Sequence, residues 1–221
     1  MSLALIVMAK RPAAGQTKTR LCPPLTLEDS AELYNNFLHD LIPKLQTLPT
    51  ITTLIAHPPD DLAPAYFQQL APDVPTILQI GDTLGERLDH VIRHCFAAGF
   101  TQVAAINSDS PTIPEQFYLQ AFEQLDRADV DAVFGPCDDG GYYLIGLKQS
   151  YPPLTRNVQM STPHVLDDTL VEAQKLGLRV QLLPTWYDVD DQEKLARLSA
   201  ELTPNPALAP HTHTFLTTLN L

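Results

Sequence analysis

The chain has 221 residues, 44% of them hydrophobic, enough to fill one substantial core but not two large ones. A net charge of −12, from 14 basic and 26 acidic side chains, argues against a broad surface for DNA or RNA. Cys22, Cys95 and Cys137 lie far apart with no Cys-x-x-Cys pair, which excludes a disulfide framework or a zinc cluster and points to a reducing compartment.

Residues 3–9 (LALIVMA) form an unbroken apolar run, the pattern of a strand buried on both faces of a parallel sheet. No basic residue precedes the run, and Lys10-Arg11-Pro12 follows it, the reverse of a secretory signal. No later apolar run approaches the ~20 residues of a membrane helix, so a cytoplasmic protein without membrane contact is expected. After a loop at 10–25, apolar residues recur at helical spacing through Ala31, Leu33, Phe37, Leu38, Leu41 and Leu45, predicting a helix over 26–48 with a break at Pro43. Further apolar runs at 51–56, 76–80, 102–106, 132–135, 142–147 and 179–183 alternate mostly with helical stretches, which implies βαβ units. Asp138-Asp139-Gly140-Gly141 joins two of these runs with no room for a helix and should be a turn between antiparallel strands. The expected fold is a three-layer α-β-α domain over 1–202 with a mixed, mostly parallel sheet. Residues 203–221, with Pro204, Pro206 and Pro210, read as a surface tail that wraps or frays.

The loop after the first strand stands where α/β folds bind ligands. Residues 1–27 hold Lys10, Arg11, Lys18 and Arg20 and no acid, so a local +4 sits on an otherwise acidic chain. Gly15 would allow close backbone approach to a phosphate, and Lys18 and Arg20 would neutralise it. A solvated basic turn is the alternative. The loop is not a P-loop, because Thr17 and Ala13 stand where that motif needs glycines. A second strand end presents Asn107-Ser108-Asp109-Ser110-Pro111. Asp109 there suits a Mg²⁺ ligand shared with substrate phosphates, or else a cap for the turn or for the helix near Glu115.

Taken in order, the Lys-Thr-Arg-Leu loop, the Ser-Asp-Ser-Pro turn, the Asp-Gly-Gly-Tyr-Tyr hairpin and a late Asp-Val-Asp segment resemble the GT-A nucleotide-diphospho-sugar transferase superfamily. Within it, the pattern is similar to bacterial transferase-like proteins associated with radical-SAM and selenodomain partners, and to 2-phospholactate and molybdenum-cofactor guanylyltransferases. The likeness covers residues 1–200. It implies a GT-A fold, a catalytic Mg²⁺ or Mn²⁺, a nucleoside triphosphate or nucleotide sugar as donor and a small-molecule acceptor.

Carried onto this chain, the resemblance makes Lys18 and Arg20 the phosphate grip, with Gly15 and Lys10 beside it, and Asp109 the catalytic metal carboxylate. Asp190 becomes the second metal ligand, although Asp190 with Glu193 also reads as a capping box. Asn107 stands where glycosyltransferases of this fold carry the first Asp of Asp-x-Asp, a departure that favours nucleotidyl transfer. The segment with Gly81 and Gly85 resembles the one beside the nucleotide base, and Asp139, Gly140, Gly141 and Tyr142 resemble the hairpin facing the second substrate. Both pairs of glycines also serve ordinary turns. A non-catalytic nucleotide-binding partner or regulatory module would keep the basic loop without needing the acidic pair.

Two other constellations are set aside. His90 and His94 have the i, i+4 spacing of metal ligands but flank a buried stripe of Leu84, Leu88, Val91 and Cys95, which places them on a solvated side. Ser161 before Thr162-Pro163 reads as a helix cap rather than a nucleophile.

Overall fold

The computed structural model describes residues 2–219. Its centre is a seven-stranded sheet: β1 (Leu3–Met8), β2 (Ile51–His57), β3 (Thr76–Leu78), β4 (Gln102–Ile106), β5 (Ala132–Pro136), β6 (Tyr142–Leu147) and β7 (Val180–Leu182), in the order β3-β2-β1-β4-β6-β5-β7. All pairings are parallel except those of β6, which runs against both β4 and β5. The mixed, mostly parallel sheet is therefore as expected, with the reversed strand arising from the Asp-Asp-Gly-Gly turn.

Alternate residues of β1 enter opposite cores, Leu5 and Val7 on one face and Ala4 and Ile6 on the other, all fully buried. The first core is covered by α1 (Leu27–Gln46), α2 (Ala63–Leu70), α4 (Glu115–Asp126), α7 (Gln192–Leu202) and α8 (Pro210–Thr218). The second lies under α3 (Leu84–Ala97), α5 (Pro153–Arg156) and α6 (Val165–Lys175). Among the described residues no helix is long and apolar enough to cross a membrane.

The structure corrects the sequence reading at three places. Helix α1 is started by a capping box between Thr26 and Asp29 and runs unbroken through Pro43. That proline stands in the last turns, and buried Leu41, Ile42 and Leu45 keep the segment packed. Ser161 does not cap α6, which begins at Val165 after His164; Ser161 instead adopts a left-handed φ of 63°.

The segment after 202 does not fray. It folds into a short 3₁₀ turn and α8, whose Ala209, Thr212 and Leu216 are buried against the first core. The Ala209 cap of α8 has no side-chain acceptor, so buried Asp40 of α1 supplies one, accepting from His211 N (2.9 Å), Thr212 N (2.8 Å) and Thr212 Oγ1 (2.6 Å). Asp40→Ala should lower unfolding free energy by about 1–3 kcal/mol and expose the tail to protease, measured by urea titration and limited proteolysis.

Candidate functional site

The chain runs β1, β2, β3 to one side, then crosses back to place β4 on the other side of β1. Loops leaving β1 and β4 at their carboxyl ends thus diverge and open a crevice, where ligands bind in open α/β sheets. Because β6 is reversed, its first residues and the β5–β6 turn lie at the same end.

The loop after β1 is pinned at both ends. The hydroxyl of buried Thr17 accepts from Ala13 N (3.0 Å) and donates to Ala13 O (2.8 Å), while Leu21 and Leu25 insert into the core. Gly15 turns the chain with a φ of 75° but is exposed and lines neither of the two cavities described below. Lys18 also adopts a left-handed φ, 50°, which directs its side chain inward. Its ammonium Nζ lies 2.6 Å from Asp109 Oδ1 and 2.7 Å from Asp190 Oδ1, with the side chain only 4% exposed. Burial alone would push the Lys18 ammonium down, yet the two carboxylates more than offset it and hold its pKa above the ordinary lysine value. Asp190 is likewise disfavoured by burial, and Lys18, with Arg20 and Lys10 behind it, holds its pKa below the ordinary carboxylate value.

The loop after β4 is tied to the rest of the site. Ser108 Oγ donates to Met8 O (2.9 Å) and contacts Tyr34 Oη (2.6 Å), and Asn107 N donates to Tyr143 O (3.1 Å). Val189 N donates to Asp109 O (3.1 Å), which brings the late Asp-Val-Asp segment against the turn. The capping alternatives fall away here. Asp191, not Asp190, caps α7 by accepting from Lys194 N (2.8 Å), and the Pro114 cap of α4 uses no side chain of this turn. Asp109 and Asp190 are both left free to face Lys18.

A third carboxylate belongs to the group. Asp188 Oδ1 accepts from Asn107 Nδ2 (2.7 Å), Ser110 Oγ (2.7 Å) and Cys137 Sγ (3.3 Å). Burial, then the charge of Asp109, raise its pKa from 3.8 to about 6 in spite of these donors. The folded protein therefore binds more protons here than the unfolded chain between about pH 4 and pH 6, and stability falls as pH rises through that window. In metal-free buffer, Asp188→Asn is expected to raise stability at pH 7 by about 1–3 kcal/mol, with the gain vanishing near pH 4. Urea unfolding at several pH values measures it. An equal effect at both pH values would contradict the charge argument.

Two cavities meet at this cluster and share Met8, Arg20, Leu84, Asp109 and Asp190. The first, about 380 Å³, is bounded by the basic loop through Lys10 and Lys18, by Tyr34 and by Gln79 and Arg87. The second, about 700 Å³, lies between β6, the turn after β4 and residues 160–165. Asp139, Gly141 and Tyr142 line it.

Gly81, Gly85 and Gly140 line neither cavity. The segment holding Gly81 and Gly85 reaches the first cavity through Gln79, Leu84 and Arg87 instead. Gly85 is buried at the start of α3, where a Cβ would stand 2.1 Å from Thr155 O; Gly140 has a φ of 89°, and its Cβ would meet Pro163 O at 1.9 Å. Both serve close packing. His90 and His94 stand apart from the site, their ring centroids 6.4 Å from each other.

The residues fit a hard divalent cation. Two carboxylates converge on one point, now held by the Lys18 ammonium, and hard oxygen donors are what Mg²⁺ and Mn²⁺ take. Among the described residues, no three His, Cys, Asp or Glu side chains form a metal cage, so such an ion would complete its shell with water and phosphate oxygens.

Comparison with known proteins gives a consistent picture. A crystal structure of a candidate nucleotide-diphospho-sugar transferase from Desulfovibrio desulfuricans G20 superposes with a TM-score of 0.92 at 30% identity, over 99% of this chain and 95% of that one. A cytidylyltransferase from Leptospira borgpetersenii serovar Hardjo-bovis (TM-score 0.61, 10% identity, 95% and 97% covered) shares the fold. So does glucosyl-3-phosphoglycerate synthase from Mycobacterium tuberculosis, solved with Mg²⁺ and UDP (TM-score 0.52, 9% identity, 95% and 79% covered). The fold is thus that of the nucleotide-diphospho-sugar transferases, as the motif order implied. No curated protein matches the sequence. The profile of a bacterial family matches residues 41–162, and the chain belongs to that family, described as "Uncharacterized protein conserved in bacteria (DUF2064)".

Proposed function

We propose that this protein is a metal-assisted transferase that takes a nucleotide donor in the first cavity and passes part of it to a small-molecule acceptor in the second. The observation that carries this reading is the meeting of both cavities at Arg20, Asp109 and Asp190, whose two carboxylates pair with Lys18 in the first, so that one substrate in each would touch the same charged cluster. The likeness to the Desulfovibrio protein, which extends over nearly the whole of both chains, supports a nucleotide donor. The radical-SAM- and selenodomain-associated kinship belongs to the same proposal. So does a cytoplasmic setting, in keeping with three free thiols.

In this reading Lys10, Lys18 and Arg20 bind the donor's phosphates, with Arg20 placed at the junction of the cavities. Asp109 and Asp190 would hold the divalent ion, whose chemistry is to neutralise charge on the donor phosphates as the leaving group departs. The protein's part is positioning and electrostatic stabilisation: Arg20 faces the developing charge, and the apolar wall of Leu84, Leu88 and Ile106 orients the acceptor and limits water.

Two group transfers suit this apparatus. An acceptor hydroxyl attacks the α-phosphorus of a nucleoside triphosphate, forming a phosphodiester and expelling pyrophosphate. Alternatively it attacks the anomeric carbon of a nucleotide sugar, forming a glycoside and expelling the nucleoside diphosphate. In each, the hydroxyl proton is lost to solvent. Asn107 in place of a first Asp favours the former, while the Desulfovibrio likeness favours the latter. Melting-temperature shifts and product analysis with panels of both donors and Mg²⁺ or Mn²⁺ separate them, pyrophosphate marking one and nucleoside diphosphate the other. A protein to which no nucleotide binds in the presence of metal contradicts both. Nucleotide binding without turnover, unchanged in Asp109→Asn, would instead mark a regulatory binding module.

A further inference from the structure

The two cavities differ in the charge of the walls that each has to itself. Apart from the shared residues, the first is lined by Lys10, Lys18 and Arg87 and by no acid. The second has Asp139 and Asp188 and no Lys, Arg or His. Neither of its own carboxylates has a cationic partner among the described residues. Asp139 Oδ1 accepts only from Gly141 N (2.9 Å) among the described residues, while Lys194 and Arg197 pair with the preceding Asp138 at 2.8 and 2.9 Å. Asp188 is held on Oδ1 by three neutral donors, and its Oδ2 has no hydrogen bond among the described residues. The remaining wall is apolar through Leu88, Ile106, Ile145 and Val165, with the hydroxyl-bearing Ser161 and Thr162 at one side.

An anionic acceptor would have to approach Asp139 and Asp188 with only Arg20 and the proposed divalent ion to offset them, and donor phosphates would compete for both at the junction of the cavities. Juxtaposed like charges oppose binding strongly, whereas hydroxyl and ammonium groups can donate to free carboxylate oxygens. We propose that the second cavity receives a non-anionic acceptor, a polyol or amino alcohol with one apolar side, and discriminates against phosphorylated and carboxylated molecules. This inference rests on the transferase reading and adds the class of its second substrate.

The test is binding of matched compounds to the donor-loaded protein by ligand-observed NMR. Glucosamine and 3-amino-1,2-propanediol are set against glucosamine 6-phosphate, glycerol 3-phosphate and gluconate. Donor binding is verified separately by the melting shift. The two amino alcohols are expected to bind at least about tenfold tighter than the anions. Asp139→Lys, at an exposed turn position, should narrow or reverse that order. Anions binding equally well or better, or no compound of either set binding while the donor does, would overturn the acceptor inference and leave the donor reading standing. Failure of every donor to shift melting would overturn both.

Discussion

Lys18→Ala is expected to lower turnover of a nucleotide donor by about 10²–10³-fold, the loss typical when one preorganised charge donor is removed from a reacting centre. In the intact protein the ammonium sits between Asp109 and Asp190 and is almost fully buried, 5.9 Å from the centre of the Phe37 ring. Alanine removes the one cation among the described residues in direct contact with these carboxylates, leaving Asp109, Asp188 and Asp190 to repel incoming phosphates as well as one another. The effect on stability should be much smaller, because Asp109 and Asp190 are 33% and 45% exposed and water screens them. Lys18→Arg should not restore activity, since a planar guanidinium cannot occupy the position of a compact ammonium 2.6–2.7 Å from two carboxylates. Steady-state kinetics beside melting curves checks this. A variant that loses stability but retains turnover would show that Lys18 is merely structural.

Asp109→Asn should reduce turnover by at least about 10²-fold and weaken Mn²⁺ binding, while leaving the fold intact. The amide has the shape of the carboxylate, and the backbone bond from Val189 N to Asp109 O does not involve the side chain. Lys18 keeps Asp190 as a partner. The substitution also removes the second cause of the raised Asp188 pKa, so the acid-range stability profile should move toward lower pH. Mn²⁺ titration by electron paramagnetic resonance, with turnover and a pH series of unfolding curves, reads all three effects. Undiminished metal binding in the variant would remove Asp109 from the proposed metal pair.

Much of the frame was legible in the residues because buried parallel strands have a distinctive pattern. β4 and β6 match the apolar runs at their bounds, since both cross the sheet centre with no polar interruption. The hairpin was legible because Asp-Asp-Gly-Gly leaves no length for a crossover. The tail was not, since its stability comes from Asp40, far away in sequence, and proline-rich composition conceals a helix whose cap lies on another element.

The site divides in the same way. The basic loop and Asp109 were visible as local charge at strand ends, and their common partner, the late segment, through motif order. What local pattern could not show is that Lys18 crosses 172 residues of sequence to pair with Asp190. The capping alternative for Asp190 missed by one residue, because Asp191 satisfies the same chemistry at the helix start. Asp188 was passed over, although its i, i+2 relation to Asp190 in an extended segment was a usable signal. Gly81 and Gly85 line neither cavity, whereas Gln79, Leu84 and Arg87 of the same segment line the first.

In the proposed mechanism, donor phosphates and a divalent ion meet at the Lys18 cluster. Diffraction from crystals soaked with Mn²⁺ and the donor giving the largest melting shift tests it most directly. An anomalous peak in contact with Asp109 and Asp190, with phosphates against Lys18 and Arg20, is the predicted result. A nucleotide bound outside the first cavity, or a metal peak remote from both carboxylates, would contradict it.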